Sequence, residues 1–198
     1  MTNSGIIKNI CVFASASNEL NNIYCETAKE LGKILAKEGY DIVYGGSRRG
    51  LMYICAENAK KNGSKIYGVM PEKLADMGFA NPEDCNEFYI TKGMRERKSK
   101  LDELSDASIT IPGGFGTLEE VSEMIVQKQL GYNFKPIIIL NTNGFYNDLL
   151  KFFNRITEEN FAYKNYNELF YVANSPKDVI EYLKTYKPNK NLYKFARL

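Results

Sequence analysis

The sequence predicts an α/β fold: a doubly wound, mostly parallel, Rossmann-like sheet with helices on both faces. Three observations predict it. Short apolar runs alternate with stretches of helical periodicity along almost the whole chain, the pattern of strand–helix–strand crossovers. Two apolar runs end in glycine-rich loops that open helices, as ligand-binding loops of such sheets do. Finally, 198 residues without linker, repeat or low-complexity segment suit one domain with one full core. We read that domain over residues 1–186 and a basic tail over 187–198.

In chain order, Ile10 to Ala14 reads as a buried strand. Tyr24, Ala28, Leu31 and Leu35 then recur at four, three and four residues, one face of a helix that Gly39 ends. Asp41 to Tyr44 is the second strand. The loop Gly45-Gly46-Ser47-Arg48-Arg49-Gly50 leads to a helix over about 51–61, and Lys65 to Met70 is the third strand. Pro71 to Asn86 contains Pro71, Gly78 and Pro82 and little periodicity, so it is expected to be a loop. Glu87 to Ile90 is a short strand before a basic helix over about 93–104. Ala107 to Ile111 is a strand that stops at Pro112, and a helix is expected from Thr117 to about Leu130. Pro136 to Leu140 is the clearest buried strand. A helix follows over about 145–159, then a weak strand at Phe170 to Val172. The last helix is well signalled: Ser175 can cap it, Pro176 suits its first position and Asp178 its first turn.

Composition excludes whole mechanisms. There is no histidine, so no Ser-His-Asp or Cys-His relay, no His-containing zinc site and no imidazole base. Acid–base work must fall to carboxylates, Lys, Tyr or Cys. The four cysteines, Cys11, Cys25, Cys55 and Cys85, form no C-x-x-C and read as reduced, mostly buried thiols. A formal charge of +2 is too balanced for a protein that grips a nucleic-acid backbone. Ala14-Ser15-Ala16 imitates a signal-peptidase site, but Lys8 and Asn9 break the run before it, and nothing approaches the ~20 apolar residues of a membrane span. The expectation is a cytoplasmic protein with no membrane or nucleic-acid partner.

The strongest chemical signal is Pro112-Gly113-Gly114-Phe115-Gly116-Thr117-Leu118-Glu119-Glu120. Glycines let backbone amides converge on a ligand, a helix N-terminus adds about half a positive charge, and Thr117 can donate its hydroxyl. No Gly-Lys-Ser/Thr follows and no G-x-G-x-x-G is present, so a monophosphate suits the loop better than a triphosphate or dinucleotide. The bland reading is a capping box, Thr117-x-x-Glu120. Glu119 and Glu120 would be repelled by a phosphate, so one of them should face sugar or water. The Gly45–Gly50 loop is equally compatible with a phosphate or ribose contact and with an ordinary turn. On the basic helix over about 93–104, Met94, Arg97 and Lys98 share one side, and Arg95 and Ser99 another. Either is a solvated face or presents cations to a phosphate.

Together, Val43-Tyr44-Gly45-Gly46…Gly50-Leu51-Met52, Met94-x-Glu96-Arg97-Lys98 and Pro112-Gly113-Gly114-x-Gly116-Thr117-x-x-Glu120 resemble the LOG ("lonely guy") family. Cys11 to Ser17 and Gln129-Leu130-Gly131 fit as well, and the resemblance spans roughly residues 9–185. Members are cytokinin riboside 5′-monophosphate phosphoribohydrolases, some long mislabelled lysine decarboxylases. The resemblance implies a homodimer with the site near the subunit interface. It also implies hydrolysis of the N-glycosidic bond of AMP or an N6-modified AMP, giving free base and ribose 5-phosphate. It implies that the loop Gly113, Gly114, Phe115, Gly116 and Thr117 holds the phosphate, with Gly45 and Gly46 nearby, and that Arg97 and Glu120 are the catalytic pair.

Cleaving a base from ribose builds positive charge on the sugar, which a carboxylate can stabilise while activating water. Glu120 is assigned that role and Glu119 a contact with ribose hydroxyls. Arg97 would orient substrate and stabilise the departing base, since arginine is a poor proton donor, and Lys98 would help bind. No metal or cofactor is called for. Ser47 stands where the family usually has glycine, Arg95 where histidine is common and Gln127 where tryptophan is common. These departures bear on base preference. The competing reading is a non-catalytic nucleotide or molybdenum-cofactor carrier of the same fold, which would not need Arg97 and Glu120 together. A decarboxylase would need a pyridoxal-phosphate lysine with its ring-holding partners; no pattern suggests one, and that label is rejected.

Overall fold

A computed structural model gives the fold and describes residues 7–162 and 168–189. Seven strands form one sheet: β1 (Asn9–Phe13), β2 (Asp41–Tyr44), β3 (Ile66–Pro71), β4 (Glu87–Thr91), β5 (Ala107–Thr110), β6 (Ile137–Leu140) and β7 (Tyr171–Ala173). All neighbours are parallel, in the order β4-β3-β2-β1-β5-β6-β7. The chain steps outward from β1 to β4, then returns to lay β5 on the other side of β1. Loops leaving β1 and β5 therefore diverge, which opens a crevice at their carboxyl ends.

The helices are α1 (Asn22–Lys37), α2 (Gly50–Lys61), α3 (Glu72–Asp76), α4 (Met94–Leu104), α5 (Phe115–Gln129), α6 (Asn147–Glu158) and α7 (Pro176–Thr185). Strand side chains alternate between two cores. Ile10, Val12, Ile42 and Ile109 pack with Leu31 and Leu35 of α1, Cys55 and Ala59 of α2 and Val179 of α7. Cys11, Phe13, Val43 and Ile139 pack with Leu101 of α4 and Val121 and Met124 of α5. Each fully buried Leu or Ile contributes about 1.5–3 kcal/mol, so both faces hold the sheet. The four cysteines are free thiols; burial pushes Cys55 up to about 12 and Cys11 well above its ordinary value, which removes both as nucleophiles at neutral pH.

Asn21 caps α1 by accepting from the Ile23 amide, and Ser175 caps α7 by accepting from Asp178 at 3.2 Å. Three expectations need correction. The expected loop at 71–86 holds α3 and a 3₁₀ turn, Pro82–Asp84; α3 buries no residue, so it leaves no apolar period to read. The helix expected from Phe145 starts at Asn147, after a 3₁₀ turn at Thr142–Gly144 in which Asn143 is left-handed (φ 53°). The helix expected from Thr117 starts at Phe115. The basic tail lies, from residue 190 on, outside the described residues. Among the described residues no helix is long and apolar enough to cross a membrane.

Candidate active site

The loops after β1, β2 and β5 are stitched together by backbone. Ser15 N donates to Pro112 O at 3.1 Å, Leu51 N to Ser15 O at 2.9 Å, and Ile111 N to Phe13 O at 2.9 Å. Above them opens a cavity of about 270 Å³, lined by the ends of β1 and β2, by Met94 and Arg97 of α4 and by Gly114, Gly116, Thr117 and Glu120. It lies at the switch point between β1 and β5, where the topology puts ligands.

Gly114 is the N-cap of α5 and makes no side-chain cap bond. Thr117 is thus the third helical residue, not the cap, and the capping-box reading falls. The first amide to find a carbonyl is Leu118 N, to Gly114 O at 3.0 Å. The amides of Phe115, Gly116 and Thr117 consequently point out of the helix end with no internal partner, the arrangement that receives an anion. Thr117 is buried, and a Cβ on Gly113 would stand 2.2 Å from its Oγ1, so only glycine permits this turn. Tyr146, which sequence reasoning missed, braces the loop from behind: its hydroxyl donates to Ile111 O at 3.0 Å and takes a bond from the Gly113 backbone.

Arg97 and Glu120 meet in this cavity. Arg97 Nη1 lies 3.0 Å from Glu120 Oε1, with both side chains 11% exposed, and Arg97 Nε donates to Val69 O at 3.2 Å. Two tethers fix the guanidinium plane. A Cβ on Gly45 would stand 2.5 Å from Arg97 Nη2, which is why this loop needs glycine there. Burial pushes the Glu120 carboxyl above the ordinary glutamate value, against the opposing pull of Arg97. Glu120 is therefore a basic carboxylate facing a cavity, and a better proton acceptor than a solvated one.

The other candidates divide. Lys98 turns behind Glu120, its ammonium 2.8 Å from Glu119 and 2.5 Å from Glu123. These hydrogen bonds raise its proton affinity. Glu119 is paired with Lys98 rather than lining the cavity. Gly46 faces the Phe88 ring, and its carbonyl accepts from Asn81 at 2.9 Å. Phe115 points to solvent, 94% exposed. Ser15, Ala16 and Met52, which belong to the segments that carry the family resemblance but have no role assigned there, also line the cavity; Ser15 and Ala16 follow the carboxyl end of β1, and Met52 lies in the first turn of α2. Of the three departures, Ser47 is buried and bridges to Ala80 and Arg95 is exposed. Gln127 sits behind Glu120, hydrogen-bonded to Glu123. Lys128 is the lysine most perturbed by burial, lowered to about 8, but it lies two helical turns beyond Glu120 and stacks on Tyr186, 5.0 Å from the ring centroid.

Residues 52–183 match a family model described as "Possible lysine decarboxylase". A probable cytokinin riboside 5′-monophosphate phosphoribohydrolase of Oryza sativa subsp. japonica is 38% identical over 181 residues, 91% of this chain and 74% of the relative. A cytokinin riboside 5′-monophosphate phosphoribohydrolase of Arabidopsis thaliana is 36% identical over 179 residues, 90% of this chain and 83% of the relative. Among solved structures, the molybdenum cofactor binding protein of Rippkaea orientalis superposes with TM-score 0.69 at 24% identity, covering 92% of this chain and 98% of that one. The molybdenum cofactor carrier protein of Chlamydomonas reinhardtii gives 0.68 at 23%, covering 90% and 96%. At such identities these structures show a shared fold alone. The sequence relatives and the family model show more: this chain belongs to the LOG family, that of the cytokinin riboside 5′-monophosphate phosphoribohydrolases.

Proposed function

We propose that the chain hydrolyses the N-glycosidic bond of a nucleoside 5′-monophosphate, AMP or an N6-modified AMP of the cytokinin ribotide type, to free base and ribose 5-phosphate. The observation that carries this reading is the Arg97–Glu120 pair, which lines the same cavity as the unpaired amides of α5. The 5′-phosphate sits on the loop Gly113–Thr117, where those amides and the positive end of α5 meet it. Glu120 faces C1′ and stabilises the positive charge that grows there as the C1′–N bond lengthens. It takes a proton from the attacking water, whose oxygen forms the new bond to C1′. The base leaves with the C–N electron pair, and Arg97 stabilises its negative charge until solvent protonates it. Glu119, on turning away from Lys98, binds ribose hydroxyls, and Lys98 supports binding from behind. Gly45 makes room for Arg97, and Gly46 shapes its loop. No metal or cofactor takes part in this scheme.

The same reading makes the protein a cytoplasmic homodimer, with the exposed Met94 of the cavity lining and the exposed Phe115, between the lining residues Gly114 and Gly116, as surfaces a second copy would cover. A carrier of molybdenum cofactor is the second reading, favoured by the structural neighbours. It uses the glycine loops and leaves the buried ion pair without a task. The two are separated by incubating the protein with AMP, and separately with an isoprenylated AMP, and assaying both products. Stoichiometric free base and ribose 5-phosphate are expected. Tight binding of another ligand with no release from any nucleoside monophosphate would favour the carrier.

A further inference from the structure

Behind Glu120, away from the main cavity, lies a void of about 10 Å³ walled by Phe13, Lys98, Glu123, Met124 and Gln127. It is about the size of one water. Helical spacing puts Glu119 and Glu123, four residues apart, on the same face of α5, with the Lys98 ammonium between them. The two carboxylates are not equivalent. Glu119 is 56% exposed and Glu123 37%. Glu123 also accepts from Gln127 Nε2 at 3.4 Å, and Gln127 Oε1 in turn accepts from the buried Asn133 at 3.2 Å. Glu123 is thus anchored towards the turn after α5, whereas Glu119 has no bond besides Lys98 among the described residues.

We infer that Glu123 is a positioning residue: it keeps the Lys98 ammonium beside Glu120 when Glu119 lets go of Lys98 to take the ribose hydroxyls. The inference rests on the reading above for the role of Glu119; the clamp itself is a matter of geometry. Lys98 is needed there because the charges around Glu120 are finely opposed. Arg97 and Lys98 from α4 favour its ionised form, Glu119 opposes it, and burial opposes it most; Glu123 on α5 and the Cys11 thiol on β1 complete the surroundings. If Lys98 drifted into solvent as Glu119 departed, Glu120 would hold its proton more tightly just when it must act as a base.

The test mimics departure of Glu119 with Glu119→Gln and follows the Glu120 carboxyl by ¹³C NMR titration, its resonance assigned by loss in Glu120→Gln. Adding Glu123→Gln to Glu119→Gln is expected to raise the proton affinity of Glu120 about threefold or more, because Lys98 is released. Adding Lys98→Met as well should then change little. Loss of the Glu123 charge alone has the opposite sign, since removing a nearby anion lowers proton affinity. A doubly substituted protein that titrates at or below Glu119→Gln would overturn the inference. Glu119→Gln/Glu123→Asp, which keeps the charge but shortens the reach, should also rise, and it covers the case in which the double glutamine variant fails to fold. Where the wild type turns over AMP, Glu123→Gln should lower kcat about tenfold with KM within twofold, and its acid limb should move to higher pH. An NMR rise without wild-type turnover would leave the clamp standing and remove the proposed reaction.

Discussion

Glu120 lives under two opposed pressures, and their balance is its chemistry. Burial resists its charge and Arg97 invites it, with burial the larger. In the proposed mechanism the ionised form is the working base, so kcat/KM should fall as pH drops through a value above that of an ordinary glutamate, and a pH–rate profile checks this. An acid limb at the solvated-glutamate value would contradict it. Arg97→Ala should cost about 10²-fold or more in kcat if it acts on the departing base; a change confined to KM would move Arg97 to substrate binding. Lys128 shows the same physics without a function assigned. It is 1% exposed, and among the described residues its ammonium has no hydrogen-bond partner and only the Tyr186 ring against it. Burial lowers it to about 8, whereas the unfolded chain keeps its proton to about 10.4. Between those values the unfolded state binds more protons, so stability should rise with pH there, by up to about 3 kcal/mol. Lys128→Met should flatten that rise and stabilise the protein at pH 7 by about 1–2 kcal/mol, after loss of the cation–π contact. Denaturant unfolding at pH 7 and 9.5 measures both.

At the scale of elements, α5 connects binding to chemistry in the proposed mechanism: its first turn offers free amides and its second carries Glu120. Thr117→Val keeps the shape and removes one donor from the phosphate loop, so KM should rise about tenfold, the worth of one charge-assisted bond, with kcat little changed. Steady-state kinetics will show whether kcat falls instead. α5 starts at Phe115, two residues before the Thr117 expected from the sequence, because the loop geometry dictates the start, whereas glycine and phenylalanine are poor helix openers by propensity. The contact of α1 with α2 is set by one missing side chain. A Cβ on Gly32 would stand 2.2 Å from the Cys55 carbonyl oxygen, a backbone atom that cannot swing away. Gly32→Ala gains up to about 1 kcal/mol in helix propensity, but forcing the helices apart costs about 1–3 kcal/mol. The clash wins, and urea unfolding should show a net loss.

For the whole molecule, the parallel sheet was legible because alternating apolar runs and helical periods have few other solutions. The phosphate loop was legible because Pro112 to Glu120 is contiguous. What brings Arg97 to Glu120 is not written locally: they are 23 residues apart, and the pairing depends on β5 returning beside β1. It was reachable only through the family resemblance. The brace from Tyr146 and the clamp from Glu123 carried no signal beyond residue type, since a buried tyrosine and a helix-face glutamate are ordinary on their own. The absence of histidine narrows in the same way. The proposed chemistry rests on a carboxylate, and Arg95, where a histidine is common, lies exposed and outside the cavity lining. The most direct measurement is base release from AMP and isoprenylated AMP by wild type and by Glu120→Gln, with folding of both monitored by circular dichroism. Wild type should yield equal free base and ribose 5-phosphate from at least one substrate, and the variant should remain folded and lose at least about 10²-fold in rate. Undiminished turnover by folded Glu120→Gln would contradict the assigned mechanism.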